Sequence, residues 1–245
     1  MLHRTEGIVL RTISFGEADL IVTYLTPDFG PVKIFAKSPR KVKSRFGSSL
    51  EPLVQSRISF WGKEDASLPK LTQSDIIHSF QTIRDTLNSF LTVSEIIELT
   101  LHFIPEREAN KEAYSLFLNA LYTIENNSNK NLAIIHYKIK FLELTGYIPK
   151  LDACGRCGRK GNCFYVAHGT ILCETCSAGM VSSARLSPGA VKLHKDLLTW
   201  DITKINRIRP SDMLLSELSH IIDMHIHHIL TKPLKSREFI HSLSE

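Results

Sequence analysis

Acidic side chains are missing from one stretch of this 245-residue chain: between Asp28 and Glu51 there is no Asp or Glu. Basic ones crowd into the same stretch, as Lys33, Lys37, Arg40, Lys41, Lys43 and Arg45. Long apolar runs are lacking too, and none approaches the roughly 18 residues that would suggest a membrane-spanning helix. The opening Met1-Leu2-His3-Arg4-Thr5-Glu6 leads into a strand-like alternation with no apolar core of a secretory leader, so a cytoplasmic protein with no membrane partner is expected. Cysteine is absent outside Cys154–Cys176, whereas a disulfide framework spreads its cysteines along the chain. Neither a phosphate-cradling glycine loop nor a Ser-His-Asp arrangement can be picked out, and Asp65, Asp75 and Asp85 form no recognisable acidic cluster. An ATPase or a nuclease is therefore poorly supported, and no catalytic residue is assigned.

What remains is an ordinary folded composition, with 43% hydrophobic and 22% charged residues. A formal net charge of +5 leans toward anionic partners. Short alternating apolar runs over Gly7–Ile13, Leu20–Thr26, Val32–Ala36, Leu53–Trp61 and Leu68–His78 predict five strands, which suit an OB-fold barrel over 1–79. From Phe80 the period becomes helical through Ile83, Leu87, Phe90, Leu91, Ser94, Ile97 and Leu101. Further amphipathic helices are expected at 109–126, 131–145, 187–199 and 212–230. The expectation is an α+β multi-domain chain: a nucleic-acid-binding barrel (1–79), a helical domain (80–150 and 181–245), and a zinc finger inserted between its parts (151–180).

Cys154-Gly155-Arg156-Cys157 and Cys173-Glu174-Thr175-Cys176 have the two-plus-two spacing of a structural zinc site. A two-residue gap lets a tight turn aim both thiolates at one ion, and Gly155 and Gly158 relieve the crowding there. The segments Asn162–Val166 and Thr170–Leu172, joined at His168-Gly169, form a hairpin that brings the second pair to the first. Four thiolates leave no position for water or substrate, so one structural Zn2+ per chain is expected. Redox-active Cys-x-x-Cys pairs and incidental buried thiols are the competing readings. Cys163 is a packed thiol or a substitute for one of the four. His220, His225, His227 and His228 tempt toward a second metal site, but His225 lies on the apolar stripe of Leu214, Leu218, Ile221, Ile222 and Ile229 and reads as a packed histidine.

In the basic strand Val32, Ile34 and Ala36 face the barrel interior, which throws Lys33, Phe35 and Lys37 together on the outside. Cations flanking a ring form a single-strand platform, with phosphates on the lysines and a base on Phe35. The following loop, with Arg40, Lys41, Lys43 and Arg45, is expected to be mobile and to reach toward a phosphate backbone without reading sequence. Arg11, Arg57 and Trp61 could extend the same face. The competing reading is a solvated loop with Phe35 packed under a helix.

Several segments carry a family resemblance: Glu6-Gly7-Ile8-Val9-Leu10-Arg11, Phe15-Gly16-Glu17-Ala18-Asp19, Leu25-Thr26-Pro27-Asp28-Phe29-Gly30 and Leu50-Glu51-Pro52. Farther on come Phe141-Leu142-Glu143-Leu144-Thr145-Gly146-Tyr147-Ile148-Pro149 ahead of Leu151 and Cys154, and Leu234-Lys235-Ser236-Arg237-Glu238-Phe239. In that order the chain resembles the RecO proteins along essentially its whole length. The resemblance implies a DNA repair and recombination mediator that is not an enzyme. Such proteins bind single- and double-stranded DNA, anneal strands, and work with RecR to help RecA replace single-stranded-DNA-binding protein. It also implies a site for the acidic tail of single-stranded-DNA-binding protein on the helical domain, with Lys192, Lys195, Lys204, Arg207 and Arg209 as candidate rim cations. One departure stands out: where a glycine is expected after the alanine of the basic strand, this chain carries Ser38-Pro39. A zinc-ribbon enzyme (nuclease or dithiol oxidoreductase) and a zinc-stabilised, protein-only adaptor are the alternative functions.

Overall fold

The structure, a computed structural model, describes residues 1–40, 44–62, 68–126, 129–200, 202–205, 207–230 and 234–236. Two compact units divide the chain, Met1–Asn126 and Asn127–Glu245.

In the first unit β1 (Leu2–Phe15), β2 (Asp19–Thr26), β3 (Gly30–Ala36), β4 (Gln55–Trp61) and β5 (Lys70–His78) form a closed, OB-like barrel in the order β1-β2-β3-β5-β4. Every joint is antiparallel except β3 to β5, which is one parallel pair, Phe35 with Lys70. Strand β1 outruns the expected Gly7–Ile13 because it serves two neighbours: Leu2–Ile8 pair with β4 and Ile8–Phe15 with β2. A bulge between Val9 and Arg11 turns the strand from one to the other. The interior is filled from the alternate positions Val9, Val22, Tyr24, Val32, Ile34, Ala36, Ile58, Phe60 and Leu71, with Phe46 and Leu50 plugging it from the connection after β3.

Three helices complete this unit: α1 (Gln81–Arg84), α2 (Leu87–Phe103) and α3 (Lys111–Asn126). Polar contacts tie α3 to the barrel, Tyr122 donating to Gln55 Oε1 at 3.2 Å and Gln55 Nε2 to the Tyr114 hydroxyl at 3.4 Å. The link between α2 and α3 lies along β3, where the Arg107 N–H donates to the Pro31 carbonyl at 2.9 Å. Gly30 makes that approach possible. It sits at φ +56°, and a Cβ there would fall inside the Glu108 carbonyl oxygen.

The second unit packs α4 (Lys130–Thr145), α5 (Pro188–Thr199) and α7 (Asp212–Ile229) against one another, with short α6 (Ile202–Ile205) between the last two. Helix α4 is buried on nearly every side from Leu132 to Leu142, as suits the middle of a bundle. Side-chain caps start each long helix: Asn129 accepts the Leu132 N–H at 3.0 Å, Ser187 that of Ala190 at 3.1 Å, and Ser211 that of Leu214 at 3.4 Å. A buried ion pair, Lys138 to Asp223 at 2.8 Å, joins α4 to α7, and the Ser219 hydroxyl donates to the same carboxylate. The expected hairpin is β6 (Cys163–Tyr165) and β7 (Thr170–Leu172), to which a short β8 (Ala184–Arg185) adds on the far side of β6. Among the described residues no helix is long and apolar enough to cross a membrane.

Buried His136 on α4 and His194 on α5 are both held near a pKa of about 4, because burial penalises the imidazolium. Lys140 adds to the effect at His136, while Asp152 and Glu143 oppose it at His194. The folded state thus keeps both rings neutral where the unfolded chain, titrating near 6.5, has begun to take up protons. The sign follows: the unfolded state binds more protons as pH falls from about 6.5 toward 4, and stability falls with it. Between pH 7.5 and 5 the loss is expected to be about 2 kcal/mol for each histidine. Urea unfolding at the two pH values measures it, and a flat profile would contradict neutral burial.

Candidate nucleic-acid interface and metal centre

Strand alternation delivers the basic face. Val32, Ile34 and Ala36 are buried in the barrel, Lys33 and Lys37 are exposed, and Phe35 is half-buried on the outer wall. Register places Arg11, Thr23 and Lys33 side by side across β1, β2 and β3. Arg11, Lys37 and Arg40 are exposed, and among the described residues none of them is ion-paired.

Lys33 differs, because Glu106 from the link after α2 pairs with it. Both side chains remain about half exposed, at 46% and 53%. A solvent-screened pair of this kind contributes less than about 1 kcal/mol, so a phosphate can take the place of the carboxylate. No charge pattern near Lys33 foretells this partner, since Glu106 comes from a distant part of the chain.

The loop is tethered at both ends. Ser38 takes the left-handed conformation at φ +56°, the conformation a glycine would adopt without strain. Its N–H donates to Asp19 Oδ1 at 2.6 Å, and that of Arg40 to the Ala18 carbonyl at 3.3 Å. Replacing Ser38 with glycine is expected to stabilise the barrel by about 0.5 to 1 kcal/mol, the left-handed penalty of a side chain less the entropy of glycine. A rise in the thermal midpoint of Ser38→Gly checks this. At the far end Arg45 stays exposed, but its Nη2 donates to the Leu71 carbonyl at 3.5 Å and its guanidinium lies 4.8 Å over the ring of buried Phe46. Lys41 and Lys43 lie outside the described residues.

Arg57 and Trp61 part company. Arg57 sits in register between Glu6 and Asp75, an acidic neighbourhood, whereas Trp61 is in register with Lys70, the pairing partner of Phe35. Phe15 meets Phe35 edge-on, with ring centroids 5.9 Å apart. Sequence reasoning passed over Phe15 and Lys70, although the spacing of Arg11, Ile13 and Phe15 at every second residue was a usable signal. The candidate rim cations Lys192, Lys195, Lys204, Arg207 and Arg209 are all exposed, and Arg209 donates to its neighbour's carbonyl on Ile208.

The two knuckles bring Cys154, Cys157, Cys173 and Cys176 together, with their sulfurs all within 4.8 Å of one another and those of Cys157 and Cys173 at 3.5 Å. Four zinc–sulfur bonds of about 2.3 Å set tetrahedrally span sulfur–sulfur edges of about 3.8 Å, so the cage fits a zinc-sized ion. Backbone geometry makes each knuckle: the Gly158 N–H donates to the Cys154 carbonyl at 2.9 Å, and those of Cys176 and Ser177 to Cys173 at 3.0 Å. Gly158 sits at φ +73°, and a Cβ on Gly155 would collide with the Thr170 side chain.

Electrostatics also favours a cation. N–H donors, that of Cys173 first, draw the Cys154 thiol down to about 6, whereas Cys176, hemmed in by its neighbours' sulfurs, is pushed up to about 12. Thiols this close cannot all ionise unless positive charge sits among them. Arg159 lies at the Cys157 sulfur, and the Arg156 Nη1 donates to the Cys176 carbonyl at 2.9 Å. Cys163 stands apart from the four, its sulfur facing Asn162 Oδ1 at 3.6 Å while it packs beside the cluster. Among the described residues no second group of this kind occurs. His225 is packed, as expected: its Nε2 lies 2.8 Å from the Tyr147 carbonyl and its ring abuts Gly169 and Phe164, seating the metal module on α7.

Two family models match the chain, "Recombination protein O N terminal" over residues 1–80 and "Recombination protein O C terminal" over residues 84–238. A DNA repair protein RecO of Thermodesulfovibrio yellowstonii is 43% identical over 236 residues, covering 94% of each chain. The DNA repair protein RecO of Dehalococcoides mccartyi is 34% identical over 98% of this chain and 96% of its own length. That of Syntrophus aciditrophicus is 34% identical over 96% of this chain and 93% of its own. With both halves of a DNA repair family matched over nearly the whole chain, and a barrel and a cysteine cage where the resemblance leads one to expect them, this chain belongs to the RecO family.

Proposed function

We propose that this chain is a non-enzymatic recombination mediator, which binds and anneals single-stranded DNA and, with RecR, helps load RecA onto DNA covered by single-stranded-DNA-binding protein. The observation that carries the reading is the outer wall of the barrel along β3, where Arg11 stands exposed level with Lys33, and Lys37 and Arg40 stand exposed beyond Phe35. Lys33, Lys41, Lys43 and Arg45 belong to the same proposed DNA contact. Lys33 exchanges Glu106 for phosphate, and Arg45 works from its anchored position on Phe46. Cations there displace the counterions of either single- or double-stranded DNA, so affinity depends on salt more than on sequence.

The division of labour is proposed as 1–79 for nucleic acid, the helices of 80–150 and 181–245 for protein partners, and 151–180 for the metal. This is a partition by function, and the compact units part elsewhere, at Asn126. One zinc per chain, held by the four thiols, is structural, because a closed tetrahedron leaves no open position. The acidic tail of single-stranded-DNA-binding protein would meet cations among Lys192, Lys195, Lys204, Arg207 and Arg209 on the second unit. A cytoplasmic, nucleoid-associated location follows from such a role. Strand annealing on oligonucleotides precoated with single-stranded-DNA-binding protein, with and without RecR, tests the whole. Faster pairing with the chain present, and RecA loading that requires RecR, are the expected results; strand cleavage or thiol–disulfide exchange by the purified protein would favour an enzyme instead.

A further inference from the structure

Followed strand by strand from Phe35, the barrel register crosses its parallel seam to Lys70 on β5 and then reaches Trp61 on β4. All three lie on the outer wall, because the adjacent positions Ile34, Leu71 and Phe60 are buried in the barrel. Trp61 is 58% exposed and Phe15, edge-on to Phe35, is 52% exposed. Large rings held in solvent on a strand contribute nothing to the barrel's own core and are expensive to leave wet. Two neighbouring strands separate Phe35 from Trp61 by roughly 10 Å, from a strand spacing of about 4.8 Å. In that gap stands an exposed cation, Lys70, with Lys37 next to Phe35 on the other side. Among the nearby acids, Asp19 is in register with Phe15 and its Oδ1 already accepts the Ser38 N–H at 2.6 Å, while exposed Glu17 stands in the turn between Phe15 and Asp19.

We propose that Phe15, Phe35 and Trp61 form a stacking lane for unpaired bases that runs from β1 over the β3–β5 seam to β4, with Lys37 and Lys70 taking the intervening phosphates. The inference rests on the reading that this wall binds DNA, and it adds a preference. Rings exposed on a wall can stack only on bases whose faces are free, so the lane distinguishes single strands from duplex, whereas the lysines and arginines do not.

The test compares a poly-dT strand with a blunt duplex of equal length, on the full chain, on two binding variants and on one fluorescence background. In Phe15→Ala/Trp61→Ala both substituted rings are exposed, so the barrel should fold as before, which circular dichroism checks. Affinity for poly-dT is expected to fall at least about fivefold for each ring that carries a base, with duplex affinity unchanged. In a Trp200→Phe background, which leaves Trp61 as the sole indole, poly-dT is expected to quench the emission and the duplex to leave it. The second variant, Lys37→Ala/Arg40→Ala, should weaken both ligands. Unchanged poly-dT affinity in the ring variant, with binding lost in the lysine–arginine variant, overturns the lane and leaves the DNA face standing. Parallel loss of both ligands in the ring variant overturns it as well. Unchanged binding in both variants removes the DNA face, and the lane with it.

Discussion

Serine in place of Cys154 or Cys176 is expected to strip the metal and to lower the stability of the second unit by about 4 kcal/mol or more, the largest effect of any single substitution here. Besides the cage, the segment from Leu151 to Leu186 has three short strands, a small cluster built from Cys154, Tyr165, Leu172 and Cys173, and a few further buried side chains, Leu151, Phe164, Ile171 and Leu186. Closing a loop through a metal replaces the core that so short a segment lacks. Elemental analysis should find about one zinc per chain, the count a single four-thiolate cage holds. A chelator should lower the thermal midpoint to that of the serine variants. Cys163→Ser serves as the contrast, since its sulfur lies outside the cage, and it should keep its metal. Full occupancy in Cys173→Ser would remove Cys173 from the ligand set, and a midpoint indifferent to chelation would show that the cage holds no structural metal.

Replacing Lys37, Arg40, Lys41 and Lys43 together with alanine is expected to weaken single-strand binding at low salt by about two to three orders of magnitude. The slope of log affinity against log salt should become shallower by about 3, at about 0.7 for each phosphate no longer neutralised. Because Lys37 and Arg40 stand exposed while the barrel interior is filled independently by Ile34, Ala36 and Phe46, the thermal midpoint should scarcely move. Titrations at several salt concentrations measure both quantities. An unchanged slope would assign the DNA to another surface.

The reach of sequence reasoning differed between elements for physical reasons. The middle of each barrel strand was legible because its inward positions are mostly large and apolar, aliphatic or aromatic. The first residues of β1 were not, because that end of the barrel is lined with other chemistry: His3 stacks on Phe60 at 5.2 Å and meets Phe29 edge-on at 5.3 Å, and buried Thr5 donates to Asp28 at 2.7 Å. An apolar periodicity cannot register a histidine and a threonine as interior. The long helices were legible from their apolar spacing, while the caps Asn129, Ser187 and Ser211 at the starts of α4, α5 and α7 were usable local signals passed over. Short β8 was invisible, since two residues acquire strand geometry only by pairing with β6.

The gathering of the four cysteines was legible, because its determinant is local spacing within two four-residue turns. The basic face was legible as a charge asymmetry, while its edges were not. Glu106 reaches Lys33, and Lys70 and Trp61 come beside Phe35, through pairings between distant parts of the chain. Ser38 shows the same limit: its backbone is left-handed, a conformation glycine adopts without strain, and no local pattern around a serine announces it.

The joint between β3 and β5 is the thinnest in the barrel: one residue pair, supported by the Phe35 N–H donating to the Pro69 carbonyl at 2.8 Å. A cylinder stitched so lightly along one line parts there before it parts anywhere else. Whatever lies across both lips at once acts as a splint, so cargo carried over that line would tighten the vessel that carries it.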